Sequence, residues 1–212
     1  MSSSDDSDAS EGEREKTLDD DIEASLHCSK FQNRKKYFLP ENQVKELVTR
    51  HSVIKAFKWE GEELAAYQDE LVDWICERAP KVFLTHVRMD LKKPSHLSLS
   101  LSKFKNNNIG DAEFLKAKQS SAEGYLSKAI WTPRKTRELF EEYRWMFFSP
   151  AFREDEIDYD LHADTIFPFE DSPDDMRIGA FSHVHRVKIH DAHQAHGFRE
   201  VSLALLKRLC LI

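Results

Sequence analysis

Met176-Arg177-Ile178-Gly179-Ala180-Phe181-Ser182-His183-Val184-His185-Arg186-Val187-Lys188-Ile189 is the stretch on which the fold class turns. Apolar and β-branched residues flank a short run of small residues. Gly179 to Ser182 therefore reads as a tight bend between two short strands. Upstream, Ile166-Phe167-Pro168-Phe169 leads into a polar turn, EDSPDD, that contains Pro173. Downstream, after a polar stretch rich in histidine, Val201-Ser202-Leu203-Ala204-Leu205-Leu206-Lys207-Arg208-Leu209 reads as a third strand.

Before residue 160 the periodicity changes from two to nearly four. Pro40 is followed by Val44, Leu47, Val48, His51 and Ile54, close to the spacing of one helix face. After Gly61, a second stripe runs through Leu64, Tyr67, Leu71, Ile75 and Ala79, widened by Val72 and Trp74. Pro80 breaks or kinks it, because proline lacks an amide donor and clashes with the preceding turn. Val82, Phe83, Leu84 and Val87 continue the apolar face. From Lys92 to Ser102, leucines alternate with serines, a pattern open to a strand, a short helix or a loop. Asn106, Asn107, Asn108 and Gly110 mark a turn. Residues 116–130 are ambiguous. Thr132-Pro133 is a helix start, with Leu139, Phe140, Tyr143, Met146 and Phe147 as its apolar face and Pro150 as its stop. The predicted class is thus α+β: a mainly helical region over 37–160, then a few antiparallel strands over 161–212. The tryptophans, His51 and His86 read as packing residues.

Charge divides the chain differently. Residues 1–24 hold ten acidic and two basic residues, or -8, against a net charge of -7 for all 212 residues, so the remainder carries +1. Residues 1–30 are predicted to be a disordered acidic tail, too poor in apolar groups to offset chain entropy. Ser2, Ser3, Ser4, Ser7 and Ser10 sit among its acids, and a small basic knot, Arg34, Lys35 and Lys36, follows it. The near-neutral remainder gives no electrostatic footprint for nucleic acid. No run of about 18 apolar residues occurs, so no membrane span is expected. Cys28, Cys76 and Cys210 are scattered, without zinc or redox spacing, which points to a reducing compartment, cytoplasmic or nuclear.

Three antiparallel strands with a small-residue bend after the first suit a nucleotide. The bend lets backbone amides approach phosphates, and a lysine on the third strand pairs with their charge. The run from Tyr37-Phe38-Leu39-Pro40 through Leu161-His162-Ala163-Asp164-Thr165-Ile166-Phe167-Pro168-Phe169 to Gly179 and Val187-Lys188-Ile189-His190 resembles fungal protein-kinase-like proteins. In that family a helical N-terminal region leads into a Pro-Phe pair, a glycine-type loop, V-x-x-V-K-I-H, and a strand bearing A-L-K. The resemblance covers most of residues 37–209. It implies that residues 161–212 are the first three strands of a kinase N-lobe, with ATP as cofactor. Gly179, Phe181 and Ser182 would form the loop over the phosphates. Val184 and Ala204 would pack on the adenine ring, and Lys207 would pair with phosphate. Aligned on Val184, the three glycine places hold Arg177, Gly179 and Ser182. Ala204 is followed by two leucines before Lys207, one more residue than the family pattern. No H-R-D-type catalytic loop or D-F-G-type metal site occurs in the 212 residues. The resemblance therefore implies Ser/Thr phosphotransfer in a complete family member and none from this chain.

Two other readings stand beside it. His183, His185, His190, His193 and His196 fall within fourteen residues, and imidazole suits transition metals. No cysteine partner or H-E-x-x-H accompanies them, so a solvated loop is the expected state. Alternatively, the helical region is a non-enzymatic adaptor for an unknown protein partner, and the kinase-like piece is vestigial.

Overall fold

The computed structural model describes residues 15–30, 35–59, 65–89, 94–116, 134–153, 159, 161–170, 176–178, 183–194 and 204–207. Over these the chain is α+β and mainly helical, with two small antiparallel sheets.

The acidic segment folds earlier than expected. α1 (Leu18–Ser25) starts at Thr17, whose hydroxyl accepts from the Asp20 amide while the Asp20 carboxylate accepts from the Thr17 amide. This reciprocal cap satisfies two free donors, and Asp19, Asp20 and Asp21 favour the positive end of the helix dipole. Ile22 is fully buried, and Arg88 reaches Asp19 at 3.0 Å and Glu23 at 3.3 Å. The disordered tail predicted for residues 1–30 is corrected over 15–30; residues 1–14 lie outside the described residues. β1 (His27–Ser29) then pairs with β2 (Lys36–Phe38), His27 opposite Phe38.

α2 (Glu41–Leu47) and α3 (Arg50–Phe57) replace the single face expected from Val44 to Ile54. Thr49 divides them. Its hydroxyl accepts from the Ser52 amide at 3.1 Å, and Ser52 Oγ accepts from the Thr49 amide at 2.9 Å. The restart turns His51 to solvent and brings Val53 and Phe57 into the core, correcting the assignment of His51 to packing. Thr49→Ala is expected to lower unfolding free energy by about 1 kcal/mol, read as a reduced urea midpoint at unchanged slope. An unmoved midpoint would mean that the cap contributes nothing to α3.

α4 (Ala66–Arg78) buries Leu71, Val72, Trp74 and Ile75, while Tyr67 stays 67% exposed, outside the stripe assigned to it. Gly61 and Leu64 lie outside the described residues. Pro80 ends that helix and opens α5 (Pro80–Arg88) as its first residue, where a missing amide costs no hydrogen bond. α5 is the central helix: Val82, Phe83, Leu84, Thr85 and His86 are all fully buried.

The Ser-Leu alternation resolves as a helix, α6 (Pro94–Asn106). Leu97, Leu101 and Phe104 share its core face, whereas Leu99, which a strand would have placed beside Leu97 and Leu101, is 58% exposed. The expected turn follows. Asn108 takes a left-handed φ of 54°, which asparagine tolerates. Gly110 lies so close to the end of α4 that an added Cβ would stand 2.4 Å from the Arg78 carbonyl oxygen. α7 (Asp111–Lys116) starts there. The Asp111 carboxylate accepts from the Lys81 and Val82 amides, each at 3.0 Å, so that one loop caps the start of α5 from outside.

α8 (Arg134–Tyr143) begins directly after Thr132-Pro133, which lie outside the described residues, as do residues 117–131 with Trp131. Phe140 is fully buried, and so is Phe147 after a 3-10 turn at Arg144–Met146. Trp145 joins Phe38 and Ile166 in a smaller cluster. Trp59 and Trp74 pack in the main core, as expected.

The last elements are β3 (Met176–Ile178), β4 (His183–Arg186) and β5 (Ala204–Lys207), paired antiparallel in the order β3-β4-β5.

Candidate functional site

The register of the three-stranded sheet places the residues that the sequence singles out. Arg177 stands opposite Val184; Val184 opposite Leu206; Arg186 opposite Ala204; His183 opposite Lys207. Strand residues alternate faces with a period of two. Positions 184 and 204 therefore share one parity, and position 207 has the other. The extra leucine between Ala204 and Lys207 is not absorbed by a bulge, since the four pairs run without a skip from 204 to 207. The sheet thus brings Val184 and Ala204 to one parity and leaves Lys207 off it. Gly179, Phe181 and Ser182 lie outside the described residues.

Beyond β4 the chain returns onto the helical region. Ile189 bridges Phe169 antiparallel, with the Glu170 amide donating to the Lys188 carbonyl and the His190 amide to the Pro168 carbonyl, both at 2.9 Å. Phe152, Phe169 and Ile189 form a small buried cluster.

The histidine stretch was expected to be a solvated loop, and there the structure differs. Asp191–His193 forms a 3-10 turn, and His193 is fully buried. Its Nδ1–H donates to the Pro150 carbonyl at 3.1 Å; a carbonyl only accepts, so Nδ1 carries the proton. Nε2 has no hydrogen-bond partner among the described residues. Phe38 meets the ring edge-on at 5.3 Å, and His190 packs edge-on against His27 at 4.9 Å. Burial pushes His193 down to about 4, and His190 is lowered too, by burial and by His27. His193 is a neutral packing group at pH 7, whereas the His190 Nδ1 accepts from the Ala192 amide at 3.1 Å and caps the turn. Sequence reasoning missed this role, because only the return of the chain onto Pro150 and Phe38 creates it. Among the described residues, no group of three His, Cys, Asp or Glu is placed to hold a metal ion; His196 lies outside them.

The buried His86 and the Asp111 carboxylate serve the fold. His86 donates from Nδ1 to the Val82 carbonyl at 2.8 Å, and its Nε2 accepts from the Ser100 hydroxyl at 3.0 Å. Burial lowers it to about 4. Burial raises Asp111 to about 6, against the pull of the Lys81 and Val82 amides. Lys81 Nζ pairs with Glu41 at 2.6 Å. A perturbed carboxylate of this kind can mark an acid or base, but here both oxygens are committed to helix capping.

Comparison with known protein families, with curated proteins and with solved structures gave no match. No helix among the described residues is long and apolar enough to cross a membrane.

Proposed function

We propose that this chain is the leading, non-catalytic part of a protein-kinase-like protein. A helical region carries the first three strands of a nucleotide-binding lobe, and ATP is the ligand of the complete lobe. The observation that carries the reading is the β3-β4-β5 meander, with positions 184 and 204 on one parity. An adenine ring needs two apolar side chains on one sheet face, and Val184 and Ala204 are of the right kind. No phosphotransfer comes from the 212 residues, which hold neither a catalytic-loop aspartate nor a metal-binding D-F-G. Scattered cysteines favour a cytoplasmic or nuclear setting.

The adaptor reading has one observation in its favour. Lys207, the group that would answer the phosphates, has the parity opposite to Ala204. Under that reading, the helical region binds a protein partner and the sheet is vestigial.

Sequencing the transcript through and beyond codon 212, in all frames, separates the two. The kinase-like reading expects an H-R-D-type loop and a D-F-G-type site downstream; finding neither would sink it and leave the adaptor. For these 212 residues, magnesium-ATP is expected to leave the thermal midpoint within about 1 °C of its ligand-free value, since ligand stabilisation requires appreciable affinity. A saturable upward shift would show that a nucleotide binds without Lys207 on the adenine-side parity.

A further inference from the structure

The sheet and the helical region are joined by a continuous peptide. β4 ends at Arg186, and by Ile189 the chain is already bridged to Phe169. The next residues are held at three more points. His193 is buried, with its Nδ1–H on the Pro150 carbonyl. The Phe152 amide donates to the His193 carbonyl at 2.8 Å, and Gln194 bridges Phe152. Gln194 Nε2 also closes the turn on the Ile189 carbonyl at 2.7 Å.

Strands of three and four residues are at the short limit for sheets, which draw their stability from a hydrophobic face or from packing against another element. Along the chain, β4 runs within three residues into this anchored segment.

We infer that residues 187–194 are an intramolecular clamp through which the helical region holds and orients the three-stranded sheet. Where the sheet binds a nucleotide, a point that rests on the kinase-like reading, the clamp is what ties that ligand site to the helical region. His193 is the latch. It fills the space beside Phe38, and its hydrogen bond is made to a segment far away in sequence. The charged and titratable groups around it are His190, Glu41 and Lys81, with His27 behind His190.

Amide hydrogen exchange on the full chain tests the clamp without any nucleotide, so its outcome is independent of the kinase-like reading. His193→Ala is expected to speed exchange in β4 and β5 by at least about tenfold while α4 and α5 stay as protected as in the parent. Sheet amides that exchange equally in parent and variant would overturn the clamp. Should His193→Ala unfold the whole chain, inserting two glycines between Arg186 and Val187 decides the matter. The expected result is faster exchange in β4 and β5, with Ile189–Gln194 and the helices unchanged. A sheet still protected to the parental level after the insertion would show that it stands without the clamp.

Discussion

Phe104→Ala is expected to remove about 3–5 kcal/mol of unfolding free energy. Phe104 is fully buried on α6 and, among the described residues, meets the rings of His86 at 5.1 Å, Phe114 at 5.6 Å and Phe140 at 5.9 Å. Those rings come from α5, α7 and α8, so Phe104 is the point where four helices converge. Its loss forfeits the transfer free energy of the ring and leaves a cavity. The cavity has little room to collapse, because each neighbour is fixed by a second contact. His86 is held by Val82 and Ser100, and Phe114 and Phe140 lie 5.2 Å apart. A domain of this size typically has about 5–15 kcal/mol in total, so the variant sits near its unfolding threshold at 37 °C. Urea denaturation followed by tryptophan fluorescence measures the loss. Leu99→Ala, on the exposed side of the same helix, is the control and is expected to change stability by less than about 0.5 kcal/mol. A Phe104 variant as stable as the Leu99 variant would mean that α6 is not seated as described.

Acidification from pH 7 to pH 4 is expected to destabilise the chain by several kcal/mol, with two buried histidines as the principal cause. His86 and His193 are held at about 4 by burial, well below their ordinary 6.5. A depressed folded value means that the unfolded state takes up the proton first. Their stabilisation is therefore complete above pH 6.5 and is lost as pH falls toward 4. At about 1.4 kcal/mol for each pH unit of separation, each contributes on the order of 3 kcal/mol. Asp111 works in the opposite direction. Its folded value is raised to about 6 from 3.8, so the folded state takes up that proton first, and stability is gained as pH falls through 6. One such gain of similar size offsets about half of the two histidine losses. Urea midpoints between pH 7 and pH 4 give the profile. His86→Phe and His193→Phe are expected to flatten it, each by a comparable amount. A profile equally steep in the doubly substituted chain would remove the histidines as its cause.

Legibility followed the range over which each residue's environment is decided. The α4–α5 break was readable because proline acts on its own backbone, and the Asn106–Gly110 turn because left-handed φ and close backbone approach are local demands. The core aromatics of α5 and α8 were readable from spacing. The Thr49 restart was less so, since Val44 to Ile54 fits one helix face until the Thr49–Ser52 cap is weighed against it. The Ser-Leu segment was ambiguous because Leu97 and Leu101 satisfy both a period of two and a helical step of four; Phe104, one step further along, belongs only to the helix. At the candidate site, the three strands and the spacing of Lys207 from Ala204 were legible, whereas the shared parity of Val184 and Ala204 depends on a pairing across residues 187–203 that local sequence does not fix. The burial of His193 was not, because its partner, Pro150, lies 43 residues away.

α1 has a practical consequence for anyone preparing the protein. An acidic, serine-rich leader invites trimming at about residue 30, as is routine for crystallisation or expression. Such a cut would delete Ile22 from the packed interior and strip Arg88 of both its carboxylates. It would also bare the apolar surface of α2 and α5 that the helix covers, turning a presumed solubility gain into a source of precipitation. A chain that keeps this seal and the cap of α1 starts no later than Thr17, whose hydroxyl and amide close the first turn with Asp20.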